Sequence, residues 1–356
     1  MELKDLGFSN WFKEKLSESQ YSDDTLNLAR VVSVNKDNYR IRNEEAEIQA
    51  EITGKIMYGA ESNLAFPTVG DWVHIQYFNE DTFAIIHEIL PRKSLLKRKT
   101  AGKKIEYQLI ASNIDIAFIV QSLDFNFNLR RLERYLIMVN ESNIQPVLLL
   151  SKRDLISPEN LKQKMLEIKS MNLDCGIFAF SNKTGEGLDE IQEFIKPGQT
   201  YCLLGSSGVG KTTLLNSLLG QNIFATSNVR EKDGKGRHKT ARRQLTILDQ
   251  GGLIIDTPGM RELGNIGVDT GLNETFKDIV TLTQNCRFNN CKHISEPGCS
   301  VLEAVEKGEL NAKRYQNYLK IRKESEYYEM SYLEKRKKDK KFGKMIKTYM
   351  KNKKST

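Results

Sequence analysis

The stretch Tyr201 to Thr213 reads YCLLGSSGVGKTT, and nothing else in the chain restricts its architecture as tightly. An apolar run from Tyr201 to Leu204 enters a G-x-x-x-x-G-K-[ST] loop at Gly205, and the amphipathic TLLNSLLG leaves it. That order predicts strand, glycine-rich turn, helix. In such a context the backbone N–H groups of Gly205, Ser206, Ser207, Gly208, Val209, Gly210, Lys211, Thr212 and Thr213 can converge on phosphate oxygens, assisted by the positive end of the helix. Gly205, Gly208 and Gly210 allow close approach without Cβ clashes. Lys211 is expected to reach the β/γ-phosphates as a point charge, and the Thr212 hydroxyl to ligate Mg²⁺. The chain is therefore expected to bind a nucleoside triphosphate. A Gly/Ser-rich turn that merely precedes a helix does not account for all three parts falling in register.

A chain of 356 residues exceeds one small core, so two or three domains are expected. A hydrophobic content of 39% and a charged content of 28% suit a soluble globular protein. No apolar run approaches a membrane span, Met1 to Asn10 does not read as a signal peptide, and the expected location is the cytoplasm. Lys plus Arg number 54 against 46 Asp plus Glu, and much of the excess lies in the tail from Glu334, EKRKKDKKFGKMIKTYMKNKKST. Such a run suits either a polyanionic partner or a solvated, frayed helix. The five cysteines are odd in number, and Cys175 and Cys202 fall in apolar strand-like runs, which argues for a reducing compartment.

After an N-terminal helical stretch, LARVVSVNKDNYRIRN, AEIQAEITGKIMYG, DWVHIQYF and DTFAIIHEIL show period-two apolar patterning broken by turn residues. Four or five short strands predict a small barrel of OB type, whose usual cargo is nucleic acid, with a barrel that only packs on its neighbour as the alternative. Beyond a basic linker, RKSLLKRKTAGKK, the apolar runs IDIAFIVQS, QPVLLLSK and CGIFAFS alternate with helical patterns and predict a doubly wound parallel sheet. The resulting division is residues 1–97 for the helix and barrel, 98–272 for the nucleotide domain, and 273–356 for a metal-binding and helical region with the basic tail.

Further site elements are expected at strand ends. QLTILDQ and GGLIID predict a hairpin ending in DTPG, where Asp256 can hold Mg²⁺ and the Gly259 amide can meet the γ-phosphate. The polar stretch from Thr226 to Arg243 reads as a mobile loop, with Thr240 as a second Mg²⁺ hydroxyl. Upstream, SKRD (Ser151, Lys152, Arg153, Asp154) and SNK (Ser181, Asn182, Lys183) end two buried strands and resemble the guanine loops of GTPases, usually written NKxD and SAK. That resemblance implies that Asp154 accepts from the guanine N1–H and exocyclic amine, that the Lys152 stem lies along the base, and that the Asn182 backbone N–H meets the guanine O6. Adenine would leave a buried acceptor unpaired. Ser151 departs from the pattern, as one polar anchor is shortened. The base loops precede the phosphate loop, a circular permutation of the common order.

Cys286, Cys291, His293 and Cys299 follow in C-x4-C-x-H-x5-C spacing. Three thiols and one imidazole among Asn, Gly and Pro suit one closed tetrahedral structural Zn²⁺. The succeeding VLEAVEKGELNAKRYQNYLKIRKESEYYEMSYLEKR has helical spacing, and its tyrosines suit either RNA contact or packing on the nucleotide domain.

With the permuted order, the preceding barrel, GRH-x-T in the loop, DTPG and CRFNNCKHISEPGC in view, the chain closely resembles the RsgA family of ribosome small-subunit-dependent, circularly permuted GTPases. The resemblance spans essentially the whole chain. It implies a bacterial GTPase that binds the 30S subunit and its 16S rRNA in late assembly, with hydrolysis of GTP to GDP stimulated by the subunit. A monomer carrying zinc, and Mg²⁺ with GTP, is expected. Departures are Ser151, Asn182, and Lys239 and Ala241 flanking Thr240. Met260 follows DTPG where a water-positioning Gln would stand, so slow intrinsic turnover is expected, with Lys211, Thr240 and His238 as the catalytic set. His238 either orients the attacking water once rRNA holds the loop or, with Arg237, contacts RNA phosphate. A phosphate-loop kinase and an RNA-binding scaffold with non-cycling nucleotide are the alternative functions.

Overall fold

The computed structural model describes residues 1–18, 26–35, 38–99, 107–171, 173, 175–220, 243–257, 269–330, 334, 336–337 and 340. His238, Thr240, Gly259 and nearly all of the basic tail lie outside them.

A 3-10 turn at Leu3–Leu6 and helix α1 (Asn10–Glu18) precede a barrel of β1 (Asn27–Asn35), β2 (Asn38–Arg42), β3 (Glu47–Ile52), β4 (Trp72–Phe78) and β5 (Phe83–Ile89), with α2 (Gly54–Gly59) between β3 and β4. β1 pairs with β2 and with β4, β2 with β3, β3 with β5 in parallel, and β5 with β4, which closes a five-stranded ring. Tyr39, Ile41, Ile48 and Ala50 point inward while their strand neighbours face out, as the period-two pattern requires. This is the predicted OB-type barrel.

The stretch read as a basic linker supplies a strand instead. β6 (Leu95–Lys99) pairs antiparallel with β7 (Tyr107–Ser112), where Leu96 is fully buried and the Lys97 ammonium lies 4.8 Å from the Tyr107 ring. A cross-strand partner made a strand of a sequence that local charge marked as linker. The expected boundary at residue 97 falls inside β6.

Next come β8 (Ile116–Ser122), α3 (Leu129–Glu141), β9 (Gln145–Ser151), α4 (Pro158–Lys169), β10 (Gly176–Ala179), α5 (Leu188–Phe194), β11 (Thr200–Leu204), α6 (Lys211–Leu218), β12 (Gln244–Ile247) and β13 (Leu253–Asp256). The sheet order is β10-β9-β8-β11-β13-β12, parallel except for β12. Every residue of β8 is buried, which explains its unbroken apolar run. Its side chains divide by parity: Ile119 joins a core with Leu132, Leu136 and Ile168 from α3 and α4, whereas Phe118 and Val120 join Ile191 and Leu214 from α5 and α6. Helices thus cover both faces, as a doubly wound sheet requires. β1 meets β12 through Ser33 and Gln244, so barrel and sheet share one ladder of 11 strands. The buried Arg30 guanidinium, on β1, donates to the carbonyls of Leu6, Gly70 and Asn113, joining the N-terminus, the barrel and the nucleotide domain.

The C-terminal part holds α7 (Asp269–Thr275), α8 (Lys277–Thr283), α9 (Ser300–Glu306) and α10 (Ala312–Glu329). The long helical pattern is therefore broken between α9 and α10, where Gly308 takes a φ of 75°. The expected boundary at residue 272 cuts α7. α7 lies so close to α3 that a Cβ at Gly271 would sit 2.2 Å from the Ile137 carbonyl oxygen. Arg314 of α10 donates to Glu133 of α3 at 2.6 Å and to Asp278 of α8 at 2.8 Å. Tyr318 is buried against Phe276, and the Tyr315 hydroxyl donates to the His293 carbonyl at 2.5 Å, so these two tyrosines pack.

Candidate functional site: a nucleotide cradle and a thiol-imidazole cluster

The phosphate loop joins β11 to α6, whose N-cap is Gly210 at a φ of 93°. Gly205 has a φ of 144°, and a Cβ there would lie 2.4 Å from the Val120 carbonyl oxygen, so the turn beside β8 tolerates only glycine. Lys211 Nζ donates to the carbonyls of Gly205 at 2.7 Å and Ser206 at 2.9 Å, folded along the loop. Asp256 ends β13 in register with Leu203, which brings its carboxyl to the same sheet edge. Burial pushes the Lys211 ammonium down to about 8, with Asp256 opposing, while burial raises the Asp256 carboxyl against the pull of Lys211 and the Thr257 N–H. Both shifts share one cause, removal of charge from water. A bound phosphate would reverse the first.

The base-reading loops close on the same edge. Ser151, fully buried at the end of β9, donates its hydroxyl to the Val209 carbonyl at 2.7 Å. Asn182 Nδ2 donates to the Gly210 carbonyl at 3.1 Å. Two consecutive carbonyls of the phosphate loop are therefore held by the two loops encoded upstream of it. Ser181 organises the base side: its hydroxyl donates to Asp154 at 2.6 Å and accepts from the N–H groups of Lys183 and Thr184. Lys152 sits in the left-handed region at a φ of 60°, with Nζ on Asp124 at 2.8 Å. Asp124 also accepts from Ser122 and the Asn126 N–H; burial works to raise its carboxyl, and these bonds hold it lower than usual. Arg153 turns away, donating to the Ile156 carbonyl. Asp154 is exposed. Its orientation is supplied by Ser181.

In the C-terminal region the ligand atoms of Cys286, Cys291, His293 and Cys299 all lie within 4.8 Å of one another. Cys286 and Cys299 sulfurs are 3.9 Å apart, and His293 Nδ1 is 3.5 Å and 3.4 Å from them. A tetrahedral Zn²⁺ with Zn–S near 2.3 Å and Zn–N near 2.0–2.1 Å separates sulfurs by about 3.8 Å and sulfur from nitrogen by about 3.6 Å. The donor set fits that ion. Glu296 shapes the loop by accepting from the N–H groups of Lys292, Ile294 and Ser295, which lower its carboxyl to about 2.

A family model described as RsgA GTPase matches residues 89–266. The chain is 44% identical over 300 residues to the small ribosomal subunit biogenesis GTPase RsgA 2 of Lactiplantibacillus plantarum, covering 84% of each. The chain belongs to the RsgA GTPase family. To the small ribosomal subunit biogenesis GTPase RsgA 1 of Bacteroides thetaiotaomicron it is 42% identical over 347 residues, 97% of this chain and 95% of that one. Among solved structures, YjeQ from Thermotoga maritima is similar with a TM-score of 0.63 at 27% identity, over 83% of this chain and 97% of that one. YloQ, described as a circularly permuted GTPase, gives 0.61 at 25% identity, over 88% and 99%.

In this RsgA-family chain, Ser151, Ser181 and Asn182 connect Asp154 to Val209 and Gly210, beside Lys211 and Asp256. Thr212 and Thr213 lie half-buried in the first turn of α6. His238, Thr240 and Gly259 fall outside the described residues. Two contributors escaped the sequence reading. Asp124, the anchor of Lys152, stands two residues beyond β8, and its only signal is that β8 ends in register with Ser151. The Asn182 side chain was discounted in favour of its backbone N–H, yet it reaches the phosphate loop.

Proposed function

We propose that this chain hydrolyses GTP to GDP and phosphate while bound to the small ribosomal subunit, in the biogenesis of that particle. The observation that carries the reading is the closure of the base loops on the phosphate loop at Val209 and Gly210. The relatives, named for small ribosomal subunit biogenesis, support the rest.

The N–H groups of Gly205 through Thr213 and the Lys211 ammonium hold the phosphates, and Asp154 selects guanine with Lys152 against the base face. Thr212 and Asp256, with Thr240, offer the hard oxygen donors that Mg²⁺ takes, and the ion when bound would neutralise charge on the β- and γ-oxygens. Cys286, Cys291, His293 and Cys299 would hold one structural Zn²⁺, leaving no open position for chemistry. His238 orients the attacking water when the subunit holds its loop. The proposed working unit is a cytoplasmic monomer whose residues 1–97 and 273–356 grip 16S rRNA around the hydrolytic domain at 98–272.

Turnover of GTP with and without purified 30S subunits, at two salt concentrations, tests this reading. Stimulation that weakens with salt is expected, because phosphate contacts are salt-sensitive. His238→Ala is expected to abolish the stimulated rate and to leave nucleotide affinity intact. An unchanged stimulated rate would remove His238 from the mechanism, and no hydrolysis with subunits present would favour the RNA-binding scaffold.

A further inference from the structure

We propose that the side chain of Asn182 is a positioning residue for guanine-nucleotide binding, a latch through which the base-reading loop sets the geometry of the phosphate loop. The inference rests on the guanine reading of SKRD and SNK and goes further, because that reading asks only for the backbone N–H of residue 182.

Three observations carry it. Nδ2 of Asn182 donates to the Gly210 carbonyl at 3.1 Å, one residue before Lys211. The same carbonyl also accepts the first helical bond of α6, from the Leu214 N–H at 2.9 Å. It is therefore paired already, and the Asn182 bond is not needed to satisfy it. Third, Asn182 Oδ1 is buried with no hydrogen-bond partner among the described residues. An asparagine that leaves its acceptor buried and unpaired, to supply a donor to an already satisfied carbonyl, contributes little to folding. What it does contribute is a direct tie from the Asp154–Ser181 unit to the residue that starts the helix under the phosphates.

The neighbouring anchor explains why the tie is needed. At 151 the guanine-loop pattern carries an asparagine, and here a serine reaches only the Val209 carbonyl, at 2.7 Å. The amide absent at 151 stands at 182, on the adjoining loop, and grips the next carbonyl along. Gly210, which its φ of 93° already requires to be glycine, leaves room for the approach: a Cβ there would sit 2.8 Å from Asn182 Nδ2. With the latch closed, the Gly210 carbonyl points toward the base loop. Across the trans peptide the Lys211 N–H then points the opposite way.

The test measures GDP and GTP affinity and thermal melting of the full-length wild type, Asn182→Ala and Asn182→Leu. A phosphate loop freed from its tie must be re-ordered on binding, which should weaken both nucleotides by about five- to tenfold. Leu, which restores volume without a donor, should be as weak as Ala, and the nucleotide-free melting temperatures should stay close to wild type. Wild-type affinity in Asn182→Ala, or recovery in Asn182→Leu, would overturn the latch. So would loss of affinity that tracks a collapse in melting temperature, since that is general unfolding. A wild-type chain that binds neither nucleotide would instead remove the guanine reading beneath it, and the latch with it.

Discussion

Lys211 is the residue at which protonation and ligand binding meet. Burial places its folded value at about 8, below the 10.5 of a free lysine, so the charged form is disfavoured in the folded chain. The penalty on folding is full below pH 8 and relieved as pH climbs toward 10.5. Nucleotide binding has the opposite sign, because phosphate needs the ammonium. Affinity for GTP is expected to fall as pH rises through about 8, with proton uptake on binding when calorimetry is run in buffers of different ionisation enthalpy. A flat affinity between pH 7 and 9.5 would show that Lys211 stays charged throughout. The identity of this lysine was legible because the loop's chemistry is local: glycines, lysine and hydroxyl lie within eight residues. Asp124 and the Asn182 amide were not, since each acts across the fold on a partner that no spacing rule connects to it.

At the level of the element, the Cys–His loop is the least able to stand alone. It has little regular structure of its own, resting on the seven-residue α8 and α9 and on α10, and three sulfurs in one cluster repel once deprotonated unless a cation lies between them. One equivalent of zinc per chain is expected by elemental analysis. Chelation should lower the melting temperature and open the segment around α9, whose N-cap is Cys299 of the cluster, to protease. Cys299→Ser should do the same without chelator. Sequence reading found the buried strands easily, because β8 and β9 each carry a continuous apolar run, Ile116 to Val120 and Val147 to Leu150, and it found the barrel from alternation. It misplaced β6, where the pairing partner rather than the residues themselves makes the strand, and it ran α9 and α10 together, although Gly308 at positive φ breaks the helix between them.

For the molecule as a whole, two buried arginines hold the parts together. Arg314 neutralises Glu133, whose side chain is only 4% exposed, and reaches Asp278 as well. Replacing Arg314 by Met leaves Glu133 buried without its cation, at a cost of about 3–5 kcal/mol. Burial already raises the Glu133 carboxyl against Arg314, so the variant should recover stability as pH falls and the carboxyl takes up a proton. Denaturant melts of Arg314→Met at pH 5 and pH 8 would show the larger deficit at pH 8. The permuted order also has a consequence for how the chain is made. β11 slots between β8 and β13, yet it is synthesised only after β8, β9 and β10. While it is still on the translating ribosome, the half that will recognise the base has a strand, apolar from Ile116 to Val120 and buried throughout in the finished fold, with one ladder edge unpaired. Nascent chains stalled before Thr200 are accordingly expected to bind chaperones, which co-purification with stalled chains would check, and the nucleotide pocket stays incomplete until β11, the phosphate loop and Asp256 at the end of β13 have emerged.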